Sequence, residues 1–329
     1  MPESARSSSL AVSELTINPI SLDDIRAARE RIADSVVRTP IVRLNVDERE
    51  IYLKLENLQP IGSFKLRGAG NAIATANPDE LARGVFTASA GNMAQGVAWH
   101  ARRLGIKCTV VVPDHAPETK LAAITRLGAT YIKVPFDEWW QVLVTRQFPG
   151  VEGFFVHSVS DPSVMAGNGT IGLEILEDIP DVETIIVPYG GGGLSCGIAT
   201  AVKALKPGTK VFAAEVETSA AFAAALDAGE PVKIDYKPSF VDGIGSGSVL
   251  AEMWPIARSL LDGSFVMSLS DVAEAVRILA ERNRVIAEGA GATPVAAAMA
   301  GKGSGKTVCV VSGGNIDLEK LAKIFRREI

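Results

Sequence analysis

No two cysteines in this chain stand at a spacing that suits a zinc site or a disulfide framework. There are 3, Cys108, Cys196 and Cys309, far apart and without a CxxC pair. Cys108 and Cys309 fall in apolar, strand-like runs and are expected to be inert core residues. No apolar run is long enough to cross a bilayer. The first twenty residues are polar and serine-rich, with no stretch that suits a signal peptide. They are read as a flexible tail, 1–20, and the protein as cytoplasmic. Basic charge is not in excess: Lys and Arg number 33 against 38 Asp and Glu, for a net charge of −5. That balance speaks against nucleic acid or an acidic membrane surface as partner. No repeat of fixed period is visible.

What is there is an ordinary globular composition, 47% hydrophobic and 22% charged over 329 residues, enough for a large core and for two domains. Ser21-Leu22-Asp23-Asp24 reads as a capped helix start. Ile25, Ala28, Ile32 and Val36 keep helical spacing, and Thr39-Pro40 is read as the end of that helix. A weak alternation over 51–56 predicts a short strand. Apolar, β-branched runs follow at 84–87, 107–112, 130–134, 153–156, 184–187, 210–214 and 307–311. Helix-like stretches lie between them, at 93–104, 117–127, 171–177, 194–205 and 271–288. The alternation predicts an α/β fold with parallel sheets covered on both faces, in two units rather than one barrel.

Four segments follow such strands and precede helices, where open α/β sheets bind ligands. Gly62-Ser63-Phe64-Lys65-Leu66-Arg67-Gly68 places a lysine among apolar groups. Desolvation there lowers its pKa and fits it to bond an aldehyde; taken alone, it also reads as a surface lysine at a helix start. Ser89-Ala90-Gly91-Asn92-Met93 gathers hydroxyl, backbone and amide donors at a helix start, suited to a carboxylate or to a plain cap. Gly190-Gly191-Gly192-Gly193-Leu194 can turn several N–H groups toward one anion, and no lysine follows at nucleotide-loop spacing. Ser312-Gly313-Gly314-Asn315 ends a strand with a hydroxyl that can meet a heterocyclic nitrogen, or is a simple turn. The stretch 300–307 fits a relaxed phosphate-loop pattern, but a helix precedes it and a strand follows, so it is read as a solvated turn.

With these segments in order, from about Leu22 to Ala322, the chain resembles the fold type II pyridoxal-phosphate enzymes, the tryptophan synthase β family. Its threonine dehydratase and serine racemase branch is the most similar. Ala166-Gly167-Asn168-Gly169-Thr170 and Glu288-Gly289-Ala290-Gly291-Ala292 also look like family segments. The resemblance implies two open twisted sheets with helices on both faces. A large cofactor domain would span 21–70 and 161–329, with a smaller α/β domain, 71–160, inserted. It implies pyridoxal 5'-phosphate as cofactor. Lys65 would carry the cofactor aldehyde, with Phe64 beside it. Asn92 would meet the ring hydroxyl and Ser312 the ring nitrogen. Gly190, Gly191, Gly192, Gly193 and Leu194 would hold the phosphate. Ser89, Ala90, Gly91 and Met93 would lie along the loop that takes the substrate carboxylate.

The implied activity is a threonine/serine dehydratase, an ammonia-lyase that converts a small β-hydroxy amino acid to a 2-oxo acid and ammonia. The alternatives are a dehydratase for another such acid, 3-hydroxyaspartate among them, and a racemase-like isomerase. Ala90 stands where racemases of the family carry a serine, the second proton carrier, and so favours the dehydratase. Met93 replaces a histidine of many relatives, and His157-Ser158-Val159 replaces their His-Pro-Phe. Glu215 matches one carboxylate of a divalent-ion pair, but position 221 is alanine, which leaves Glu215 a weak metal candidate and no metal expected. The family also suggests a homodimer. Roughly fourteen residues follow Asn315, too few for a regulatory domain, so no isoleucine feedback through such a module is expected. His100, His115, Trp139 and Trp140 are read as packing or loop residues, and His157 as at most a peripheral substrate contact.

Overall fold

A computed structural model describes residues 17–46 and 49–329. Ten strands among them form two sheets. The six-stranded sheet holds β1 (Ile41–Arg43), β2 (Ile51–Leu55), β7 (Thr184–Pro188), β8 (Lys210–Val216), β9 (Ser264–Met267) and β10 (Thr307–Val311), in the order β1-β2-β10-β7-β8-β9. Only β1 runs antiparallel. The four-stranded sheet is parallel throughout: β3 (Val85–Ala88), β4 (Cys108–Pro113), β5 (Thr130–Val134) and β6 (Phe154–Phe155), in the order β5-β4-β3-β6.

The continuous apolar strands follow from burial on both faces. Ile185 and Val187 of β7 join one core cluster while Ile186 joins another across the sheet. Val308 and Val310 divide from Cys309 and Val311 in the same way. In β4, Val110 and Val112 face one cluster and Val111 the other. This is the two-residue period of a strand with helices above and below.

From β7 the chain winds outward through β8 and β9, then returns to β10 on the other side. The strand order therefore reverses between β7 and β10. Their carboxyl ends open a crevice there, the place where such sheets take ligands.

Helices press closely beside this crevice because glycines let backbones meet. A Cβ at Gly197 would stand 2.4 Å from the Met165 carbonyl, and one at Gly167 would stand 2.5 Å from that of Arg67. The helices Gly193–Leu205 and Lys65–Thr75 are thus both held against Pro162–Asp178.

Several expectations shift. The first helix, Leu22–Ile32, carries the predicted capping box of Ser21 and Asp24 but ends four residues before Val36, at Ile32. Ile20 is buried and Ile17 packs beside it, so residues 17–20 are no loose tail; the rest of that segment lies outside the described residues. The helix expected over 271–288 runs Leu269–Ile278, widens into a π turn, Leu279–Asn283, and stops at Arg284 in the left-handed region, φ 59°. Of residues 300–307, 300–306 form the expected turn between the helix Gly289–Met299 and β10, and Thr307 opens the strand.

Candidate active site

Every residue assigned above to the cofactor or the substrate carboxylate lines one cavity of about 610 Å³. Lys65 opens the helix Lys65–Thr75, just beyond β2. Its Nζ donates to the Ser158 carbonyl at 2.7 Å and lies 5.1 Å from the Phe64 ring centre. Burial pushes this amine down to about 8, partly offset by the charge of Glu288.

Two residues on, Arg67 is fully buried and binds two carboxylates. Its Nε and Nη2 donate to Glu56 at 2.8 and 2.9 Å, and its Nη1 and Nη2 to Glu174 at 2.6 and 2.9 Å. Lys54 adds a second cation on Glu174 at 2.5 Å. Two cations and two carboxylates leave the cluster near neutrality, which is what allows it to be dry. The cluster anchors the first turn of the Lys65 helix. Arg67 lay inside the lysine motif, yet its partners come from residues 11 and 107 positions away, beyond any local pattern.

The glycine turn follows β7. Backbone N–H groups of Gly190, Gly191, Gly192, Gly193 and Leu194 meet no protein acceptor among the described residues. Gly192 takes φ +93°, and a Cβ at Gly191 would stand 2.5 Å from the Val159 side chain. Five unpartnered donors at a helix start, with no room for a side chain at Gly191, fit a phosphate group. Opposite, Ser312 at the end of β10 is buried, and its hydroxyl has no protein partner among the described residues. Its carbonyl instead accepts the Phe64 N–H at 2.9 Å, pinning the residue before Lys65 to the β10 end. An amine, a row of N–H donors and a buried hydroxyl around one cavity are the set that an aldehyde, a phosphate and a pyridine nitrogen require.

Asn92 begins the helix Asn92–Leu104. Its Nδ2 donates to Glu288 Oε1 at 2.9 Å, and its Oδ1 accepts from Asn315 Nδ2 at 2.8 Å. Ser89 Oγ accepts the Gly91 N–H at 3.2 Å, shaping the turn before that helix, whose first N–H groups point to no protein acceptor.

Glu288 is the residue the motifs undervalued: it stood in a family-like segment without a role. Its carboxyl lines the cavity, and burial together with the negative charge of Asp242 pushes it up to about 7. An acid directly before a Gly-Ala-Gly helix start was the available signal. Lys120 and Asp242, paired at 2.9 Å, and Arg146 also line the cavity and were likewise missed.

Other readings divide. His157 lines the cavity, but its Nδ1 accepts the N–H groups of Val159 and Ser160 at 3.1 and 2.9 Å, and burial pushes it down to about 3. His100 is buried and its Nε2 meets the Leu66 carbonyl at 2.9 Å, bracing the Lys65 helix. Trp139, Trp140 and His115 line the cavity rather than standing apart from it. Glu215 lies outside the cavity, its carboxylate occupied by the N–H groups of Phe222 and Ala223 and the hydroxyl of Ser264, at 2.7, 2.8 and 2.6 Å. It caps the next helix, and among the described residues no cluster of potential metal ligands includes it.

The chain is similar to proteins of known kind. An L-threonine ammonia-lyase of Thermotoga maritima is 41% identical over 94% of this chain and 79% of its own length. A catabolic L-threonine dehydratase of Escherichia coli is 38% identical over 93% and 96%. The solved structure of maize serine racemase superposes with a TM-score of 0.87 at 31% identity, covering 94% of this chain and 98% of that one. A family model described as pyridoxal-phosphate dependent enzyme matches residues 32–314. The chain belongs to the family of pyridoxal-phosphate dependent enzymes.

Proposed function

We propose that this enzyme removes water and then ammonia from a small β-hydroxy amino acid, threonine or serine, to give a 2-oxo acid. The observation that carries the reading is the amine of Lys65, held at about 8 in the cavity that the glycine turn also lines. The threonine ammonia-lyase and dehydratase relatives support the choice of reaction.

Lys65 would hold the cofactor aldehyde, the N–H groups of Gly190 through Leu194 its phosphate, and the Ser312 hydroxyl its ring nitrogen, with Phe64 alongside. Bound pyridoxal phosphate supplies an electron sink for the charge left when the substrate α-proton departs. A hydroxyl at the ring nitrogen, unlike a carboxylate, does not hold that nitrogen protonated. The sink is then moderate, which suits a substrate whose β-leaving group takes up the charge.

The substrate carboxylate lies along the loop of Ser89, Ala90, Gly91 and Met93. There the Ser89 hydroxyl can donate, as can the N–H groups of Asn92 and Met93, unpartnered among the described residues, and the helix dipole adds its positive end. Lys65 takes the α-proton at Nζ, for which it must be neutral. Burial lowers it to about 8, so a much larger share of the amine is neutral near physiological pH than for a solvated lysine. The β-hydroxyl leaves as water, and the released enamine takes up a water and gives off ammonia. The net change is amino acid to 2-oxo acid plus ammonia. Ala90 puts no proton carrier at the position where racemases of the family have a serine, which supports elimination over racemisation.

Serine turnover, a homodimer and a cytoplasmic site belong to the same reading; the three free, buried cysteines suit a reducing compartment. The two sheets support a division into a large lobe, 21–70 with 161–329, and a small lobe, 71–160. The test is a 2-oxo acid and ammonia assay of the cofactor-loaded enzyme with serine and threonine, with Lys65→Ala as control. Turnover by the wild type alone is expected. Absence of 2-oxo acid with either substrate would sink the reading.

A further inference from the structure

One helix, Phe136–Thr145, contributes an apolar stretch of the cavity lining. Its Phe136, Trp139, Trp140, Leu143 and Val144 all line the cavity. Three of these remain open to solvent: Phe136 at 51%, Trp140 at 43% and Val144 at 44%. The rings form a continuous run, with Phe136 to Trp139 at 5.5 Å and Trp139 to Trp140 at 6.4 Å between centroids. Serine and threonine, with at most a methyl on the β-carbon, cannot cover such a wall. Apolar surface left exposed inside a ligand cavity marks the place of an apolar part of the ligand.

The charges around the cavity are mixed. Lys120 is paired with Asp242 at 2.9 Å. Arg146 donates to the Ser160 carbonyl at 2.9 Å and meets no carboxylate among the described residues. His115 stands 3.2 Å from Asp114, and burial holds His157 neutral. Asp242, Glu252 and Glu288 add acidic groups to the same lining. A second substrate carboxylate, as in 3-hydroxyaspartate, would be drawn to Arg146 but opposed by these acids. Charge therefore does not single it out as the better ligand, and the apolar lining decides the reading.

We infer that the preferred substrates are β-hydroxy amino acids bearing an aromatic or branched apolar group on the β-carbon, seated against Phe136, Trp139 and Leu143. This rests on the dehydratase reading and names its substrate class. The chemistry is unchanged. In 3-phenylserine the α-hydrogen and β-hydroxyl leave as water, and hydrolysis of the enamine releases ammonia and phenylpyruvate.

The test compares kcat/KM of the cofactor-loaded enzyme for 3-phenylserine, threonine, serine and 3-hydroxyaspartate. 3-Phenylserine should lead serine by about tenfold or more, the scale on which apolar pockets discriminate, and should lead 3-hydroxyaspartate as well. Phe136 is half-exposed, so Phe136→Ala should fold, and it should lower the ratio of 3-phenylserine to serine by about tenfold. Calorimetry gives a readout without turnover: L-phenylalanine, which has no leaving hydroxyl, should bind more tightly than L-alanine, and Phe136→Ala should erase the difference. Serine turnover with an unmoved ratio, or with 3-hydroxyaspartate preferred, overturns this inference alone. No elimination from any of the four overturns the dehydratase reading and this inference with it.

Discussion

Asn92 and Glu288 meet at 2.9 Å across the cavity, amide nitrogen to carboxylate oxygen. The contact joins the first residue of one helix to the cap of another, and it sets an acid whose charge Lys65 feels. Asn315, bonded to the other end of the same amide, fixes its orientation.

Activity should therefore depend on pH in a way that Glu288 controls. The kcat for serine should rise with pH through about 8 as Lys65 loses its proton. Glu288→Gln keeps an acceptor for Asn92 but removes the negative charge that raises the lysine. The midpoint should then move to lower pH. A profile of 2-oxo acid formation whose midpoint stays put or climbs would rule this coupling out.

Folding should carry the same signature. Burial first, then Asp242, raises the Glu288 carboxyl from 4.5 to about 7. Its stabilising contribution is whole below 4.5 and is lost as pH rises through about 7. His157 and His100 act in the opposite direction, since burial lowers them from 6.5 to about 3 and about 4. Their contribution is present above 6.5 and is lost as pH falls toward those values. In cofactor-free protein, Glu288→Gln should gain on the wild type in melting temperature at about pH 8 relative to about pH 5. The same difference at both values would count against the assignment.

The Arg67 cluster should be costly to break. Arg67→Met strands Glu56 and Glu174 in the interior, with a loss of about 3–5 kcal/mol expected in denaturant unfolding. Arg67→Lys retains the charge but not the two-sided fork, and should fall between. A loss under about 1 kcal/mol for the methionine variant, the range of surface ion pairs, would show that the cluster is wet.

The glycine turn gives a prediction about affinity. Gly192→Ala forces a side chain into φ +93°, with its Cβ 3.1 Å from the Tyr189 hydroxyl. The left-handed conformation alone costs an ordinary residue about 1–2 kcal/mol. The dissociation constant for pyridoxal phosphate, measured by titrating the cofactor-free protein, should rise about tenfold. Unchanged affinity would place the phosphate elsewhere.

Strands were the most legible part of the chain. Runs buried on both faces need no partner pattern, and β10 matches its apolar run residue for residue; β5, a mostly exposed edge strand, matches as well, on its β-branched and aromatic residues. β1 and β9 escaped because they are edge strands of 3 and 4 residues with part-exposed sequences. The site motifs were legible because each packs its donors into a few consecutive residues. Glu288, Arg146 and Asp242 act through contacts between distant segments, and no local spacing announces such contacts. The helix predicted through Glu288 failed for a related reason. Its apolar period runs on, and only the left-handed turn at Arg284 shows that the chain has left the helix to deliver an acid to the cavity.

The cysteines open a practical route. All three are buried, and burial pushes the thiols of Cys108 and Cys196 up to about 12, with that of Cys309 higher still. A thiol so placed is scarcely ionised and slow to react with maleimides or spin labels. A single new cysteine on the rim, at Val144 for instance, would take a fluorophore selectively with the native three left in place, and movement of that helix during turnover could be followed in real time.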